Sequence, residues 1–150
     1  MAAADSTIHA SAVLIGAKAA LIRGPAGAGK SRLVLALLQA AGASALPFAR
    51  LVADDRVFVE AHHGRLLVRP APELAGLIEV RGLGIRRVPY EPVAAVGLVV
   101  DLAAPAERLP DRAKLGETLA GIVLPRLAVP PGSDPMPVLL AYLATLAAAI

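Results

Sequence analysis

One glycine-rich segment, residues 24–31, constrains the fold of this 150-residue chain more than any other feature. It reads Gly-Pro-Ala-Gly-Ala-Gly-Lys-Ser, the GxxxxGKS pattern of a phosphate-binding loop, between a strand-like stretch at 19–22 and a helix-like stretch at 32–41. Glycines let backbone N–H groups turn towards phosphate oxygens, Lys30 places a charge on the outer phosphates, and the Ser31 hydroxyl can hold Mg²⁺. The sequence therefore predicts a strand–loop–helix unit that binds a nucleoside triphosphate. The alternative is a glycine-rich turn in which the Lys-Ser pair is fortuitous.

Composition limits the class of protein. The length and a hydrophobic content of 57% suit one domain with a buried core, so we expect a single domain over residues 1–150. The net charge of +3 is small, and two Phe, two Tyr and no Trp leave little to stack on bases, so we expect no nucleic-acid partner. Cysteine is absent, which excludes a disulfide framework and a thiolate metal site and suits a reducing compartment.

The chain shows no signal for a membrane or for export. Its longest charge-free runs, 33–49 and 135–150, are interrupted by glycine or proline, which argues against membrane spans. No positive charge precedes Lys18, so the basic region of a secretory signal is missing. We expect a soluble, cytoplasmic protein that has no membrane partner.

Hydrophobic patterns predict an α/β fold with a mixed, partly antiparallel sheet and flanking helices. The first helix follows the glycine-rich segment and ends near Gly42. A turn at His63-Gly64 joins two short strands, a polar loop covers 105–116, and a proline-rich break covers 130–135. The predicted strands are 8–15, 19–22, 51–53, 57–59, 66–68, 77–80, 93–102 and 124–129.

The terminal segment, residues 138–150, carries apolar residues on nearly every side of a helix. Such a helix is expected to be buried, and packing within the domain is the simpler interpretation. A subunit interface is the alternative, because a small α/β domain can rarely bury a helix on all sides.

Two sets of acidic residues are candidates for phosphoryl transfer, which needs a carboxylate to hold metal or to accept a proton. Asp54 and Asp55 follow an apolar strand, at the position of a Walker B site, and an exposed acidic turn is the alternative. The sequence does not decide which of the two faces the phosphates. Glu79 lies inside an apolar strand, where a carboxylate is costly unless it meets a cation, so a metal or Arg81 is a reasonable partner.

The three histidines carry weaker signals. His62 and His63 precede Gly64 and resemble an exposed turn, so we assign them no chemistry. His9 lies in an apolar strand, and its pattern alone favours a structural role. No metal-ligand spacing links it to another histidine.

Three separated stretches, read together, resemble the catalytic domain of bacterial HPr kinase/phosphorylase over residues 6–130. They are Ile-His-Ala at 8–10 leading into the segment 24–31, Leu-Val-Ala-Asp-Asp-Arg-Val at 51–57, and Ile-Glu-Val-Arg-Gly-Leu-Gly-Ile at 78–85. A phosphate loop is shared by many families, whereas the last two stretches at this separation are close to a family signature.

This resemblance implies a single phosphate-loop kinase domain, α/β and similar to phosphoenolpyruvate carboxykinase, that assembles into homo-oligomers. The implied activity is that of a protein-serine kinase. It uses ATP and Mg²⁺ to phosphorylate HPr, the phosphocarrier of the sugar phosphotransferase system, and so regulates carbohydrate metabolism. The family also removes that phosphate, with inorganic phosphate as the acceptor and pyrophosphate as the product.

The resemblance also implies roles for individual residues. Asp55 matches the proton acceptor of the kinase reaction, Asp54 its supporting neighbour, and His9 the family's histidine near that aspartate. Ser31 and Glu79 match the magnesium ligands. The implied ATP-binding residues are Gly24, Pro25, Ala26, Gly27, Ala28, Gly29, Lys30, Ser31 and Arg32, with Lys30 also catalytic, and the signature segment contributes Glu79, Arg81, Gly82 and Gly84.

The chain departs from the family pattern at three places. His9 lies almost at the start of the sequence, where the family's usual N-terminal domain would come first, so we expect a short version with the catalytic domain alone. The loop region has Pro25, Ala26 and Arg32 where the family carries acidic or hydroxyl residues and a Glu. Residues 130–135 contain no arginine, whereas the family has a basic loop with phosphorylase determinants there. This third difference favours the kinase reaction over phosphate removal.

Two other functions remain compatible with the sequence. A small-molecule kinase with a phosphate loop would use Asp54 and Asp55 only as a Walker B site, and the stretch 78–85 argues against it. A non-catalytic nucleotide-sensing partner, for example of a two-component regulator, would account for the loss of the basic loop.

Overall fold

The structure is a computed structural model that describes residues 7–111 and 115–145. Within this part of the chain, eleven strands and two α-helices form a mixed α/β fold. The helices are α1 (Lys30–Gly42) and α2 (Pro135–Ala144), and a short 3-10 turn covers Pro72–Leu74. The strands are β1 (Thr7–Ile8), β2 (Ala10–Ile15), β3 (Lys18–Arg23), β4 (Ala49–Ala53), β5 (Val57–His62), β6 (Arg65–Pro70), β7 (Leu77–Val80), β8 (Gly84–Arg87), β9 (Ala94–Leu102), β10 (Gly116–Leu119) and β11 (Ile122–Val129).

The long strand β9 lies at the centre of the main sheet. Its sequence is almost entirely apolar, which is typical of a strand that is covered on both faces. On one side β3 pairs with it in parallel; on the other side β6 pairs antiparallel with its first half and β11 pairs in parallel with its last half. The paired strands run in the order β1-β5-β6-β9-β3-β2-β4, and β10 adds to β11. The predicted mixed, partly antiparallel sheet is confirmed.

Two hydrophobic cores lie on opposite faces of this curled sheet. Neighbouring β3 residues Leu21 and Ile22 belong to different cores, because side chains alternate across a strand. The core on the Ile22 side is covered by the helices and contains Leu33 of α1 and Leu139 of α2. The core on the Leu21 side is closed by the sheet itself and includes Leu66 of β6.

Strand directions bring the chemically interesting residues to one edge of the sheet. Strand β2 is antiparallel to both β3 and β4, and β3 is parallel to β9, which is parallel to β11. The ends of β3, β4, β9 and β11 therefore point the same way, and β2 starts at that same edge. The segments that leave these ends meet there, as ligand sites of α/β sheets commonly do.

Some predicted elements differ from the structure. The predicted strand 8–15 is wrong in being continuous: it breaks at His9, because β1 pairs with β5 whereas β2 pairs with β3 and β4. The predicted loop 105–116 ends in strand β10, which begins at Gly116, and β8 was not predicted. The turn at His63-Gly64 is confirmed as the exposed tip of the β5–β6 hairpin, where both residues have positive φ.

The terminal helix also differs from its prediction. Helix α2 starts at Pro135, inside the predicted break, because the Asp134 carboxylate caps it by accepting from the Met136 backbone N–H at 3.0 Å. Packing on all sides within the domain is wrong for the described residues: Leu139 is the one buried residue of α2, and Tyr142 is 40% exposed. Residues 146–150 of the predicted helix lie outside the described part of the chain. No helix in the described ranges is long and apolar enough to cross a membrane.

Candidate functional site

The glycine-rich loop (residues 24–29) joins the end of β3 to the start of α1. Gly27 and Gly29 have φ angles of +82° and +101°, a left-handed backbone that favours glycine. At Gly24 the constraint is space, because a Cβ there would lie 3.1 Å from the Cβ and 3.2 Å from the carbonyl oxygen of Leu102. The loop therefore lies directly against the end of β9. Its backbone conformation and this close contact require glycine at these positions.

The first turn of α1 is arranged for an anion. Gly29 is the N-cap, no side chain caps the helix, and the first turn has no acidic residue but contains Lys30 and Arg32. Positive side chains at a helix N-terminus oppose the helix dipole, so this turn is locally unfavourable. An oxyanion bound at its N–H groups would reverse that balance. The Lys30 Nζ donates to the carbonyls of Gly24 at 2.8 Å and Pro25 at 3.3 Å, which holds its charge over the loop.

Asp54 lies next to the Ser31 hydroxyl. The Ser31 Oγ is 2.7 Å from Oδ1 and 2.9 Å from Oδ2 of Asp54 and donates to this carboxylate. The carboxylate also accepts from the Ser11 hydroxyl at 2.9 Å and from the Glu79 backbone N–H at 3.1 Å. Asp54 is only 8% exposed, and these bonds compensate its burial. Of the two aspartates that the sequence left equivalent, Asp54 is the one whose side chain meets the loop serine.

Asp55 points in another direction. Its φ of +65° is a left-handed conformation that aspartate tolerates better than most residues, and it turns the side chain away from that of Asp54. The Asp55 side chain is 57% exposed, and its Oδ1 lies 3.4 Å from Nδ1 of His9. The break between β1 and β2 at His9 presents the histidine to this carboxylate. The structure thus brings His9 and Asp55 together, although 46 positions separate them in the sequence (55 − 9).

Ser11 is a residue that the sequence reasoning missed. It is fully buried in β2, its hydroxyl donates to Asp54 Oδ1, and its Oγ accepts from the Asp55 backbone N–H at 3.0 Å. One hydroxyl therefore fixes the carboxylate of one aspartate and the backbone of the other. The available signal was a polar residue between two alanines in an otherwise apolar strand, since buried hydroxyls need partners.

The β7–β8 hairpin forms the wall opposite the loop. Its backbone is anchored by the bond from the Glu79 N–H to Asp54. Leu83 N–H donates to the Val80 carbonyl at 2.9 Å, which closes a turn in which Gly82 has a φ of +84°. The expectation that Glu79 is buried in an apolar strand is wrong: β7 is short, Ile78 is its buried residue, and the Glu79 side chain is exposed. Solvent therefore hydrates the Glu79 carboxylate, and the free-energy cost of burying a charge does not arise.

These residues share a cleft of about 430 Å³, hereafter the acid cleft. The structure brings together here most of the predicted residues of the loop, the acidic pair and the signature segment, with Asp54 beneath the cleft and Gly82 and Gly84 in the adjoining hairpin. Gly24, Pro25 and Ala28 of the predicted loop do not line the cleft. The predicted site residues that line it are His9, Ala26, Gly27, Gly29, Lys30, Ser31, Arg32, Asp55, Glu79 and Arg81.

The donor set of the cleft fits a magnesium ion that arrives with phosphates. The Ser31 hydroxyl and the carboxylates of Asp54 and Glu79 are hard oxygen donors, which Mg²⁺ prefers. Within the described ranges, no group of three His, Cys, Asp or Glu side chains could hold a metal ion by itself. Mg²⁺ is commonly bound through one or two carboxylates together with substrate phosphates, so the residues present suit that mode of binding.

A second charged cluster, also missed from the sequence, lies behind the loop. Arg23, directly before Gly24, donates through Nε and Nη2 to the two oxygens of Asp101 at 2.7 and 2.8 Å, and its Nη2 also donates to Glu117 at 2.6 Å. Arg126 Nε donates to Asp101 Oδ2. Burial alone would raise the pKa of Asp101, but the hydrogen bonds and charges of the two arginines hold it below its usual value. The same cluster raises the pKa of Arg23 despite its burial.

Several known proteins are similar to this chain in sequence. The sequence profile of the "HPr Serine kinase C-terminal domain" matches residues 1–91. The chain is 34% identical over 137 residues to the HPr kinase/phosphorylase of Limosilactobacillus reuteri (strain DSM 20016), covering 83% of this chain and 40% of that protein. It is 33% identical over 140 residues to the HPr kinase/phosphorylase of Halalkalibacterium halodurans, covering 85% and 43%. The chain thus spans about two fifths of the length of these curated relatives.

A solved structure extends the similarity beyond the matched segment. The Hpr(Ser) kinase/phosphatase from Coxiella burnetii superposes with a TM-score of 0.72 at 27% sequence identity. The match covers 93% of this chain and 88% of that one. The similarity therefore includes strands β9 to β11, which follow the segment that the profile matches.

Proposed function

The chain belongs to the family of the HPr serine kinase C-terminal domain, and we propose on this basis that it is a protein-serine kinase that uses ATP and Mg²⁺. Its proposed substrate is a seryl hydroxyl of an HPr-type phosphocarrier of the phosphotransferase system. One observation carries the proposal: Lys30 and Ser31, which suit phosphate, line the same cleft as the Asp55 carboxylate, which suits a proton.

The proposed nucleotide side of the cleft rests on charge and backbone geometry. The first turn of α1 offers uncapped N–H groups, and Lys30 lies over the loop with three ammonium donors. Both features attract the outer phosphates of ATP. Ser31 and Glu79 would hold Mg²⁺, with Asp54 supporting the serine, and the ion would neutralise charge on the phosphates.

The proposed acceptor side is the exposed pair of Asp55 and His9. A seryl oxygen attacks the γ-phosphorus, the new O–P bond forms as the bond to the bridging oxygen of ADP breaks, and the hydroxyl proton passes to the Asp55 carboxylate. Asp55 suits this role better than Asp54, because Asp54 is buried and already accepts from Ser31, Ser11 and Glu79. His9 positions the Asp55 carboxylate through the 3.4 Å contact.

We propose the kinase direction alone, acting in the cytoplasm, with the protein as a homo-oligomer. Residues 130–135 adjoin the loop but contain no arginine or lysine that could bind a second phosphate. This feature also supports a second candidate, a nucleotide-binding regulator that does not transfer phosphate and works with a two-component system. A phosphate-loop kinase of small molecules is the third candidate.

The test is phosphate transfer by the purified chain from labelled ATP, with Mg²⁺ and the HPr-type carrier of the same organism. Asp55→Asn is the decisive variant, because asparagine also tolerates the left-handed backbone of position 55. We expect phosphoserine on the carrier, a loss of transfer of about 100-fold or more in Asp55→Asn, and an unchanged Kd for ATP. Lys30→Ala should weaken ATP binding, and Asp111→Asn, an exposed aspartate outside the cleft, is the matched control.

Each other outcome selects another function. ATP binding without transfer to the carrier would favour the regulator. Transfer to a small metabolite but not to the carrier would favour the small-molecule kinase. Full activity in Asp55→Asn would contradict the assigned proton acceptor while leaving the kinase assignment in place.

A further inference from the structure

A separate cleft of about 570 Å³ lies beside strand β11, hereafter the β11 cleft. Strand β10 begins at Gly116, which is paired with Pro125, and the cleft opens where this ladder ends. Its walls are the segment 105–110, the start of β10, residues 126–128 of β11 and helix α2. It shares no lining residue with the acid cleft, and its volume is within the range of roughly 300–1,000 Å³ that small-molecule sites span.

The walls of the β11 cleft are largely aliphatic. Leu115 and Val138 are 38% and 44% exposed, so both side chains would lose contact with water when a ligand fills the cleft. Burying such surface favours binding of an apolar group. The apolar lining residues are Pro105, Ala106, Pro110, Leu115, Leu127 and Val138.

Two side chains of opposite charge, Arg126 and Glu117, also line the β11 cleft, and each is held by a partner in the charged cluster behind the loop. Arg126 Nε donates to Asp101, and Glu117 Oε2 accepts from Arg23 at 2.6 Å. Within the described ranges, no protein group bonds to the outer guanidinium edge of Arg126 or to Oε1 of Glu117. The two side chains are 25% and 32% exposed, so a ligand can reach them.

The charges that line the β11 cleft are balanced. Its ionisable lining residues are two glutamates and two arginines: Glu107, Arg108, Glu117 and Arg126. A ligand with one kind of charge would withdraw water from both signs and compensate only one of them. A zwitterion compensates both, because a carboxylate matches the two-pronged guanidinium edge and an ammonium group donates to a carboxylate.

We propose that the β11 cleft binds an apolar α-amino acid with a branched aliphatic side chain. Its carboxylate accepts from Arg126, its ammonium group donates to Glu117, and its side chain lies against Leu115, Leu127 and Val138. This site is additional to the proposed kinase function and does not depend on it, because the two clefts have separate walls.

The first test uses the unmodified protein and four probes that differ by one group. L-leucine has all three groups, 4-methylpentanoate lacks the ammonium, 3-methylbutylamine lacks the carboxylate, and glycine lacks the side chain. We expect leucine to bind at least about tenfold more tightly than each of the others, because each lacks a charged hydrogen bond or a buried apolar group. In an NMR titration the shifted backbone amides are expected within residues 105–110 and 126–128.

Two variants test the assigned contacts, each with a matched control. Glu117→Gln should remove the preference for leucine over 4-methylpentanoate and keep the preference over 3-methylbutylamine, whereas Glu60→Gln, at an exposed glutamate outside the cleft, should keep both. Val138→Asp should weaken leucine binding by at least about fivefold. Leu143→Asp, at a similarly exposed position of α2 outside the cleft, should leave it within about twofold.

The outcomes that would overturn this site are distinct from those that test the kinase. Leucine that binds no more tightly than glycine or 4-methylpentanoate, or with a Kd above about 10 mM, would overturn it. Amide shifts confined to residues 24–32 would overturn it as well. A protein that binds leucine in the β11 cleft but transfers no phosphate would keep this inference and lose the proposed function, and the reverse result would do the opposite.

Discussion

Replacing Asp101 by asparagine is expected to destabilise the fold by about 3 kcal/mol. The Asp101 carboxylate accepts two bonds from Arg23, at 2.7 and 2.8 Å, and one from Arg126, and its side chain is 13% exposed. Hydrogen bonds to charged groups contribute about 1.5–3 kcal/mol each, and removing one partner of a buried ion pair costs about 3–5 kcal/mol. We take the lower end, because Glu117 still pairs with Arg23 and the amide oxygen can still accept.

Urea denaturation measures this change directly. Thermal unfolding gives a second measure, because a loss of about 3 kcal/mol corresponds to a fall in Tm of about 6–12 °C for a chain of this size. The control Asp111→Asn removes an exposed aspartate in a loop and should change the free energy of unfolding by less than about 0.5 kcal/mol. A double-mutant cycle of Asp101→Asn with Arg126→Gln should give a coupling of at least about 0.5 kcal/mol. A loss under about 1 kcal/mol in Asp101→Asn would contradict a stabilising role for the Asp101 ion pairs.

The difference in unfolding free energy between the unmodified protein and Asp101→Asn is expected to depend on pH. The pKa of Asp101 is lower in the folded state than in the unfolded state, so its contribution is fully present above the unfolded value, about 3.9. It is lost as the pH falls through the lower, folded value. The difference in unfolding free energy between the unmodified protein and Asp101→Asn should therefore stay constant from about pH 7 to 5 and shrink below about pH 4. A difference that grows on acidification would show that the sign is wrong.

Three further changes test the packing around the site. Ser11→Ala should lower the free energy of unfolding by about 1–3 kcal/mol and reduce phosphate transfer, because it removes a buried hydroxyl that holds both aspartates; an unchanged urea midpoint would contradict this. Gly24→Ala should weaken ATP binding at least tenfold by calorimetry, because its Cβ would lie 3.1 Å from that of Leu102, whereas Gly42→Ala, with nothing within 4 Å, should not. Leu139→Ala should lower the free energy of unfolding by about 2–4 kcal/mol, measured by thermal unfolding. A similar loss for a Leu→Ala change at position 143, which is 39% exposed, would argue against the packing of α2.

Local sequence patterns predicted the parts of the site that lie within a few residues of one another. The spacing of glycines before Lys30 predicted the loop and the start of α1, and alternating or continuous apolar runs predicted most strands. The acidic pair after an apolar strand predicted carboxylates at the position of a Walker B site. The resemblance then linked these stretches, and most of the predicted site residues line one cleft of the structure.

Pairings between distant residues could not be predicted in the same way. Which aspartate meets Ser31 depends on the left-handed backbone at Asp55 and on the Ser11 hydroxyl, which is 43 residues from Asp54. The Arg23–Asp101 pair joins residues that are 78 positions apart, and nothing in the sequence around either residue predicts the contact. Strand order decides such contacts.

The glycine-rich loop, the helix after it and the acidic pair could be predicted from the amino-acid sequence, because backbone conformation and apolar periodicity are local properties. Three features follow from long-range packing instead: the break at His9, the different directions of Asp54 and Asp55, and the exposure of α2. Those features depend on which elements become neighbours. Strand β1 pairs with β5 whereas β2 pairs with β3 and β4, which breaks the chain at His9. Helix α2 packs so that one of its described residues is buried. Neighbours in space are set by the free energy of the whole fold, which no short window of sequence contains.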